Sequence, residues 1–284
     1  MSTTMTPRAF QQVDVFTATP YRGNPLAVVL QADDLDDATM QRFARWTNLS
    51  ETTFLLAPTE AGADYRVRIF TPGGELQFAG HPTLGSCHAW LAAGGKPQAQ
   101  ARVVQQCGVG LVPIRRDGER LAFGAPPLTR SAVRAPLLAS VAAALGLRPA
   151  QVVSAQLLDN GTAWLGLLLD DASTVAQLKP DYGRLAATGN KVGVAAACAG
   201  GGDVQLEVRS FAPHLGVNED PVTGSLNASL AQWLIADGHM PERYMAAQGA
   251  ALGRAGRVHI DSDPNGQVWV GGSSVTCIQG SVTL

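Results

Sequence analysis

Short apolar runs separated by turn residues recur along the whole sequence. Nine of these runs are three to eight residues long and are bounded by Gly, Pro, Asp or Asn, which is typical of β-strands. They cover residues 12–16, 26–30, 52–57, 65–70, 103–107, 164–169, 204–211, 257–260 and 268–270. We therefore expect a chain rich in strands.

Helical periodicity is confined to a few segments. Residues 33–47 begin with acidic side chains and place Met40, Phe43 and Ala44 on one face at helical spacing. Residues 135–145 form a second apolar helix that Gly146 closes, and the apolar runs 87–93 and 226–236 are also helix-like. Many strands with few helices predict an α+β fold.

The chain contains an internal repeat. Residues 67–72, Val-Arg-Ile-Phe-Thr-Pro, match residues 208–213 at four of six positions, 141 residues later. Residues 81–86 match residues 220–225 at Pro, Gly and Ser, 139 residues later, and both copies lead into a helix-like run. Two matches in the same order indicate a duplication, so we expect each half to contain a strand, a glycine-containing loop and a buried helix.

The two repeated loops are candidate binding elements. In each copy a proline predicts the first residue of a helix, which places His81 and Asp220 at the caps, and capping alone would explain both residues. Gly80 and Gly224 would let the backbone approach a ligand, and the unpaired N–H groups of a helix start attract an anion. If the two helix starts face one cleft, as the repeat suggests, a small carboxylate would bind there.

Glu51 is a candidate acid/base. It lies in the polar turn Asn-Leu-Ser-Glu-Thr (48–52), between the helix predicted at 33–47 and the strand predicted at 52–57. A glutamate at the mouth of a strand is either a solvated strand end or a catalytic carboxyl, and the residues alone leave both interpretations open.

Composition and charge exclude several classes of function. The 284 residues are 46% hydrophobic, which suffices for one large core or for two domains of about 140 residues. A formal charge of −2 and the lack of a Lys/Arg run argue against a nucleic-acid partner. No run approaches the roughly 20 apolar residues of a membrane span, and the first eight residues are polar, so we expect a cytoplasmic protein. The four dispersed cysteines and the absence of nucleotide-binding motifs predict neither a metal nor another cofactor.

Six segments, in this order and spacing, resemble the PhzF family of phenazine-biosynthesis-like isomerases. That family is similar to diaminopimelate epimerases and proline racemases in fold. The segments are Val-Asp-Val-Phe (13–16), Gly-Asn-Pro-Leu-Ala-Val-Val (23–29), Asn-Leu-Ser-Glu-Thr (48–52), Phe-Thr-Pro (70–72), Gly-His-Pro-Thr-Leu-Gly (80–85) and Asp-Pro-Val-Thr-Gly-Ser (220–225).

The resemblance implies two pseudo-symmetric halves. Each would be a curled, mostly antiparallel β-sheet or barrel around a central helix, with the active site between the halves. We place the N-terminal half at residues 1–127, completed by a C-terminal strand at 275–284, and the C-terminal half at 128–274.

The resemblance also implies roles for individual residues. Glu51 corresponds to the family's catalytic acid/base, and His81 and Asp220 to polar groups that face the substrate. The substrate-binding positions correspond to Ser50, Gly80, Gly224 and Ser225. In the racemase branch two thiols flank the substrate, and the matching loop positions here hold Ala79 and Val222, so inversion by two cysteines is disfavoured.

Three functions stay open at this point. The first is a cofactor-independent isomerase that uses Glu51 to move a proton within a small unsaturated or cyclic carboxylic acid. The second is an epimerase or racemase in which Glu51 is paired with His81 or Asp220. The third is a non-catalytic protein that binds a metabolite. A homodimer is the expected assembly if a strand edge is exposed.

Overall fold

The computed structural model describes residues 6–284, which form seventeen strands and six α-helices. The strands are β1 (Pro7–Val15), β2 (Asn24–Val29), β3 (Thr52–Leu56), β4 (Tyr65–Phe70), β5 (Glu75–Leu76), β6 (Arg102–Cys107), β7 (Gly110–Asp117), β8 (Arg120–Gly124), β9 (Thr129–Ala132), β10 (Val152–Asp159), β11 (Ala163–Leu169), β12 (Val192–Ala197), β13 (Leu206–Phe211), β14 (Arg243–Gln248), β15 (Gly256–Ser262), β16 (Val268–Gly272) and β17 (Ser274–Thr283). The helices are α1 (Asp37–Thr47), α2 (Gly80–Ala92), α3 (Ala135–Leu145), α4 (Ala172–Gln177), α5 (Tyr182–Ala187) and α6 (Gly224–Ala236). This composition confirms the α+β class.

The hydrophobic pattern identified the strands with continuous apolar runs and missed the others. All nine predicted runs coincide with strands to within a few residues, and the C-terminal strand expected at 275–284 is β17. β7 was missed because Pro113, Arg115 and Arg116 interrupt its apolar pattern. β12 was missed because three of its six residues are alanine and one is glycine, which are poor strand formers. α4 and α5 have six residues each, too few to show helical periodicity.

The chain divides into two compact units. The first runs to Gly124 and takes in Gly271–Leu284, and the second is Ala125–Val270. The boundaries placed from the sequence, after residue 127 and after residue 274, fall close to these points. The assignment of the two halves as separate domains stays a prediction.

Within the first unit the strands follow the order β17-β1-β2-β3-β4-β6-β7-β8. The pairs β2–β3 and β4–β6 are parallel and the others are antiparallel, while β5 adds a short antiparallel pairing to β4. In the second unit the order is β9-β10-β11-β12-β13-β14-β15, with β11–β12 and β13–β14 parallel. The first six pairs of each order therefore follow the same sequence of parallel and antiparallel pairings, as the sequence repeat implies.

Each unit contains one helix that strands enclose. α2 packs against β1, β2, β3, β6, β8 and β17, and α6 packs against β10, β11 and β15. α2 is buried at Gly80–Cys87 and at Ala89, so its apolar surface is not confined to one stripe. Gly85 makes this packing possible, because a Cβ at that position would lie 2.6 Å from Leu26 Cδ2.

Neither enclosed helix begins at the proline that was expected to be its first residue. α2 begins at Gly80 with Ala79 as its N-cap, so His81 is the second helical residue and not the cap. α6 begins at Gly224 with Thr223 as its N-cap, which leaves Asp220 three residues before that cap. A proline does not fix the first helical residue, because Pro82 is tolerated as the third residue of α2 and Pro221 lies two residues before the N-cap of α6.

The repeated Val-Arg-x-Phe-x-Pro segment forms a similar ion pair in each unit. The Arg68 guanidinium donates to both carboxylate oxygens of Glu75, at 2.7 and 2.6 Å, and Arg209 donates to both oxygens of Glu219, at 2.9 and 2.8 Å. The exposed fractions differ: 24% and 35% for the first pair, against 5% and 3% for the second. The second pair is therefore shielded from water, whereas the first is not.

The two ion pairs should differ strongly in their effect on stability. Glu219→Gln leaves a buried guanidinium without its charged partner, so we expect it to lower the free energy of unfolding by about 3–5 kcal/mol. Glu75→Gln, in the more exposed pair, should cost about 1 kcal/mol or less. Urea denaturation of the two variants beside wild type measures both values, and equal losses would contradict the difference in burial.

Candidate active site

A hydrogen bond between side chains joins the two ends of the turn that carries Glu51. α1 ends at Thr47, and Asn48 follows in the left-handed conformation (φ 54°), which asparagine tolerates better than most residues. The hydroxyls of Thr47 and Thr52 are 2.9 Å apart, which joins the end of α1 to the start of β3. Within the turn, the Ser50 hydroxyl donates to Asn24 Oδ1 at 3.5 Å. Glu51 is thus held at the beginning of β3.

Glu51 and His81 meet in the first unit. Glu51 Oε2 is 3.4 Å from His81 Nδ1, and the side chains are 17% and 5% exposed. A carboxyl group and an imidazole at this distance, both largely out of water, are the two side-chain types that most often carry protons in enzymes. The structure thus brings together two of the residues that the sequence singled out.

A buried network fixes the start of α2, where His81 lies. The Thr83 hydroxyl donates to the carbonyl of Ala79, the N-cap, at 2.9 Å, and accepts from Gln105 Nε2 on β6 at 3.0 Å. The Tyr65 hydroxyl donates to Gln105 Oε1 at 2.9 Å. Burial raises the pKa of Tyr65 well above its usual value, so this hydroxyl keeps the proton that it donates.

The start of α6 is fixed in the same way. Asn227 Nδ2 donates to the carbonyl of Thr223, the N-cap, at 2.9 Å, and to Gln248 Oε1 on β14 at 2.9 Å. Gln248 Nε2 in turn donates to the Thr223 hydroxyl at 3.0 Å. In both units, then, the residue four positions after the N-cap binds the N-cap carbonyl and a glutamine from the equivalent strand.

The shared hydrogen-bond pattern at the two N-caps gives a different alignment of the halves from the one that the sequence repeat suggested. Matching the N-caps makes Ser225 the counterpart of His81, whereas the sequence match paired His81 with Asp220. The same alignment makes Thr223 the counterpart of Ala79, in place of Val222. Neither is a thiol, and burial raises the pKa of Cys87, in α2, to about 12.

Asp220 and Ser225 both lie in the second unit, around the start of α6. Asp220 Oδ2 accepts from the Thr223 hydroxyl at 2.5 Å, and the Asp220 N–H donates to the Ser210 carbonyl at 3.0 Å. The Ser225 hydroxyl oxygen accepts from the indole N–H of Trp164 at 3.2 Å. Because that oxygen already accepts a hydrogen bond, the hydroxyl proton of Ser225 points elsewhere and can be donated to another group.

The predicted site residues are therefore divided between the units. Ser50, Glu51, Gly80 and His81 belong to the first unit, and Asp220, Gly224 and Ser225 belong to the second. The expectation that the two sets face one cleft stays a prediction.

Four positioning residues were missed from the sequence: Asn24, Gln105, Trp164 and Gln248. A signal exists for the two glutamines, because each follows a run of apolar residues in its strand and is buried there. A buried amide needs a hydrogen-bond partner, so such a residue points to a polar network nearby. Asn24 and Trp164 carry no comparable signal, since their partners depend on the folded chain.

Two further properties bear on function. Within residues 6–284, no group of three or more His, Cys, Asp or Glu side chains is arranged to hold a metal ion. No helix in the same stretch is long and apolar enough to cross a membrane.

The sequence is similar to several known proteins along nearly its whole length. It is 38% identical over 293 residues to antisense-enhancing sequence 1 of Schizosaccharomyces pombe, covering 97% of this chain and 99% of that protein. It is 33% identical over 281 residues to the trans-2,3-dihydro-3-hydroxyanthranilate isomerase of Pseudomonas aeruginosa, covering 96% of this chain and 98% of that protein.

The fold is also found among solved structures. A crystal structure of a PhzF-family phenazine biosynthesis protein from Bacillus anthracis superimposes with a TM-score of 0.85 at 22% identity, covering 99% of this chain and all of that one. The model of the phenazine biosynthesis-like protein family matches residues 13–280. The resemblance found in the sequence is thereby confirmed, and the chain belongs to the PhzC-PhzF family of phenazine biosynthesis-like proteins.

Proposed function

We propose that this protein is an isomerase that moves a proton within a small unsaturated or cyclic carboxylic acid, with Glu51 as its acid/base. The observation that carries the proposal is the contact between Glu51 and His81, 3.4 Å apart and largely buried in the first unit. Family membership supports it, because relatives that match nearly the whole chain are named isomerases. The proposed reaction needs no redox cofactor, since it neither oxidises nor reduces the substrate.

The proposed reaction uses one carboxyl group twice. Glu51, as a carboxylate, removes a proton from one carbon of the substrate, and the electron pair of that C–H bond passes into the neighbouring unsaturated system. The protonated Glu51 then returns the proton to a second carbon, so that one C–H bond is broken, one is formed and a double bond shifts. His81 keeps the Glu51 carboxyl oriented by lying against Oε2. Because the proton leaves and returns on the same face, no second base is required.

Trans-2,3-dihydro-3-hydroxyanthranilate is the first candidate substrate. It is the compound named for the isomerases of Pseudomonas aeruginosa and Pseudomonas fluorescens, which are 33% and 32% identical to this chain. It fits the proposed class because it is a cyclic, unsaturated carboxylic acid. We further propose that Asp220 takes part in the reaction and that Ser50, Gly80, Gly224 and Ser225 bind the substrate.

Reaction in deuterated water distinguishes the three functions left open by the sequence. The candidate substrate is incubated with the protein, and the products are analysed by NMR and mass spectrometry. The proposal expects a constitutional isomer, with deuterium at the carbon that receives the proton whenever Glu51 exchanges with solvent. A product inverted at one labelled centre would instead indicate an epimerase, and unchanged substrate that still raises the melting temperature would indicate a binding protein.

Replacement of Glu51 should abolish most turnover and preserve binding. Glu51→Gln keeps the side-chain shape and removes the group that carries the proton, so kcat should fall by roughly 10²- to 10⁴-fold with little change in substrate affinity. Steady-state kinetics and calorimetric titration measure the two quantities. The matched control is Glu119→Gln, at an exposed position on the turn between β7 and β8, which should behave as wild type. Full activity of Glu51→Gln would refute the assignment.

The start of α6 provides a second test of the proposed binding residues. Gly224 is the buried first residue of α6, so the branched side chain of Gly224→Val should obstruct a carboxylate that approaches the backbone N–H groups. We expect affinity for the candidate substrate to fall at least tenfold. Ser225→Ala removes one hydroxyl and should weaken binding by less than that. Equal affinities of Gly224→Val and wild type would show that this helix start does not bind the substrate.

A further inference from the structure

Lys191 occupies the place in the second unit that Glu51 occupies in the first. The first residue of β3 pairs in parallel register with Ala27, and the first residue of β12 pairs in parallel register with Leu165. β2–β3 and β11–β12 are the equivalent pairs of the two sheets. The residue directly before the strand is Glu51 in one unit and Lys191 in the other.

The surroundings of the two residues are also equivalent. Glu51 lies against His81, the second residue of α2. The Lys191 ammonium lies over the ring of Trp164, 5.6 Å from its centroid, and the indole N–H of Trp164 donates to Ser225, the second residue of α6. Each unit thus links the residue before its strand to the second residue of its enclosed helix, directly in one case and through an indole in the other.

The chemistry of the two places differs. Glu51 and His81 are a carboxyl group and an imidazole, the side-chain types that most often transfer protons in enzymes. Lys191 and Ser225 offer hydrogen-bond donors and one positive charge, because the ammonium has three donors and the Ser225 oxygen is already an acceptor for Trp164. Donors with a positive charge suit an anionic group of a ligand.

Lys191 is also unlike the other lysines of the chain. The sequence contains three lysines, of which Lys96 and Lys179 are exposed and Lys191 is half-buried. Holding an ammonium group partly out of water costs free energy unless another group compensates. The face of Trp164 supplies such compensation, since a cation is attracted to the electron-rich face of an indole.

We propose that Lys191 is a substrate-binding residue that recognises the carboxylate of the substrate together with Ser225. The inference rests on the proposed function only in taking the ligand to be a small carboxylate. It divides the work between the two halves of the duplication. The Glu51 position carries the proton, and the Lys191 position binds the anion.

Calorimetric titration with two stable probes tests the role of Lys191. The probes are 3-hydroxyanthranilate, an aromatic carboxylate with the skeleton of the candidate substrate, and its uncharged amide, 2-amino-3-hydroxybenzamide. Wild type should bind the carboxylate at least tenfold more tightly than the amide. Lys191→Met should weaken carboxylate binding by roughly 10- to 100-fold, the usual worth of a hydrogen bond to a charged group, and leave amide binding within about threefold.

Three controls separate charge recognition from a structural effect. Lys96→Met and Lys179→Met remove the exposed lysines and should retain wild-type affinity. Lys191→Arg keeps the charge and should recover part of the preference for the carboxylate. This variant also tests the role of Lys191 if Lys191→Met folds poorly. Added salt should weaken carboxylate binding to wild type but not to Lys191→Met, because only the former uses the charge.

The outcomes are distinct from those of the Glu51 test. The proposal is overturned if Lys191→Met keeps the wild-type preference for the carboxylate, or if wild type shows no such preference or binds neither probe. If Glu51→Gln keeps full turnover while Lys191→Met loses the carboxylate preference, the catalytic assignment fails and the binding assignment stands. If Glu51→Gln loses turnover while Lys191→Met binds as wild type, the reverse holds.

Discussion

Enclosing a helix within strands creates a constraint on which the rest of each unit depends. The first N–H groups of such a helix have no intrahelical acceptor, and the polar groups at its start need partners inside the protein. Here the N-cap carbonyl receives a side-chain hydrogen bond from Thr83 in one unit and from Asn227 in the other. A glutamine from an adjoining strand completes each network. These bonds attach the start of each enclosed helix to a neighbouring strand.

The two units have kept this framework and differ in the side chains placed on it. The second helical residue is His81 in one unit and Ser225 in the other. Since the framework is the same, the difference is one of chemistry: a carboxyl–imidazole pair in the first unit and a hydroxyl oriented by Trp164 in the second. A duplicated fold can thus hold two kinds of site without a change in topology, because function depends on a few side chains and not on the sheet.

The repeated arginines show the same separation of framework from detail. Arg68 and Arg209 each form an ion pair with a glutamate that lies, along the chain, between the arginine's strand and the enclosed helix. Only the second pair is buried. The other hydrogen-bond acceptors of the two arginines also differ. Arg68 donates to the Asp37 carboxylate in α1, and Arg209 donates to the backbone carbonyls of Val175 and Leu178. Glu219 directly precedes Asp220, so the buried pair also anchors the loop that carries a proposed catalytic residue.

The sequence predicted the fold class, the duplication and the family, because these rest on apolar runs and motifs that lie close together in the chain. It misplaced the helix starts, since Pro82 lies within the first turn of α2 whereas Pro221 precedes α6. The alignment of His81 with Ser225 required the hydrogen bonds of Gln105 and Gln248, which come from strands about 20 residues further along. The equivalence of Lys191 and Glu51 could be recognised only from the register of β11 and β12, and β12 was not predicted from the sequence. Proximity set by strand pairing cannot be read from local sequence patterns.

Proton transfer by a single carboxyl is tested most directly by following one hydrogen atom through the reaction. Trans-2,3-dihydro-3-hydroxyanthranilate with deuterium at the carbon that loses its proton is converted in ordinary water, and the product is analysed at low conversion by NMR. If Glu51 takes the deuteron and returns it, a measurable fraction of the product carries deuterium at the new carbon. Complete loss of the label to solvent from the earliest product would instead contradict direct return of the transferred hydrogen by Glu51.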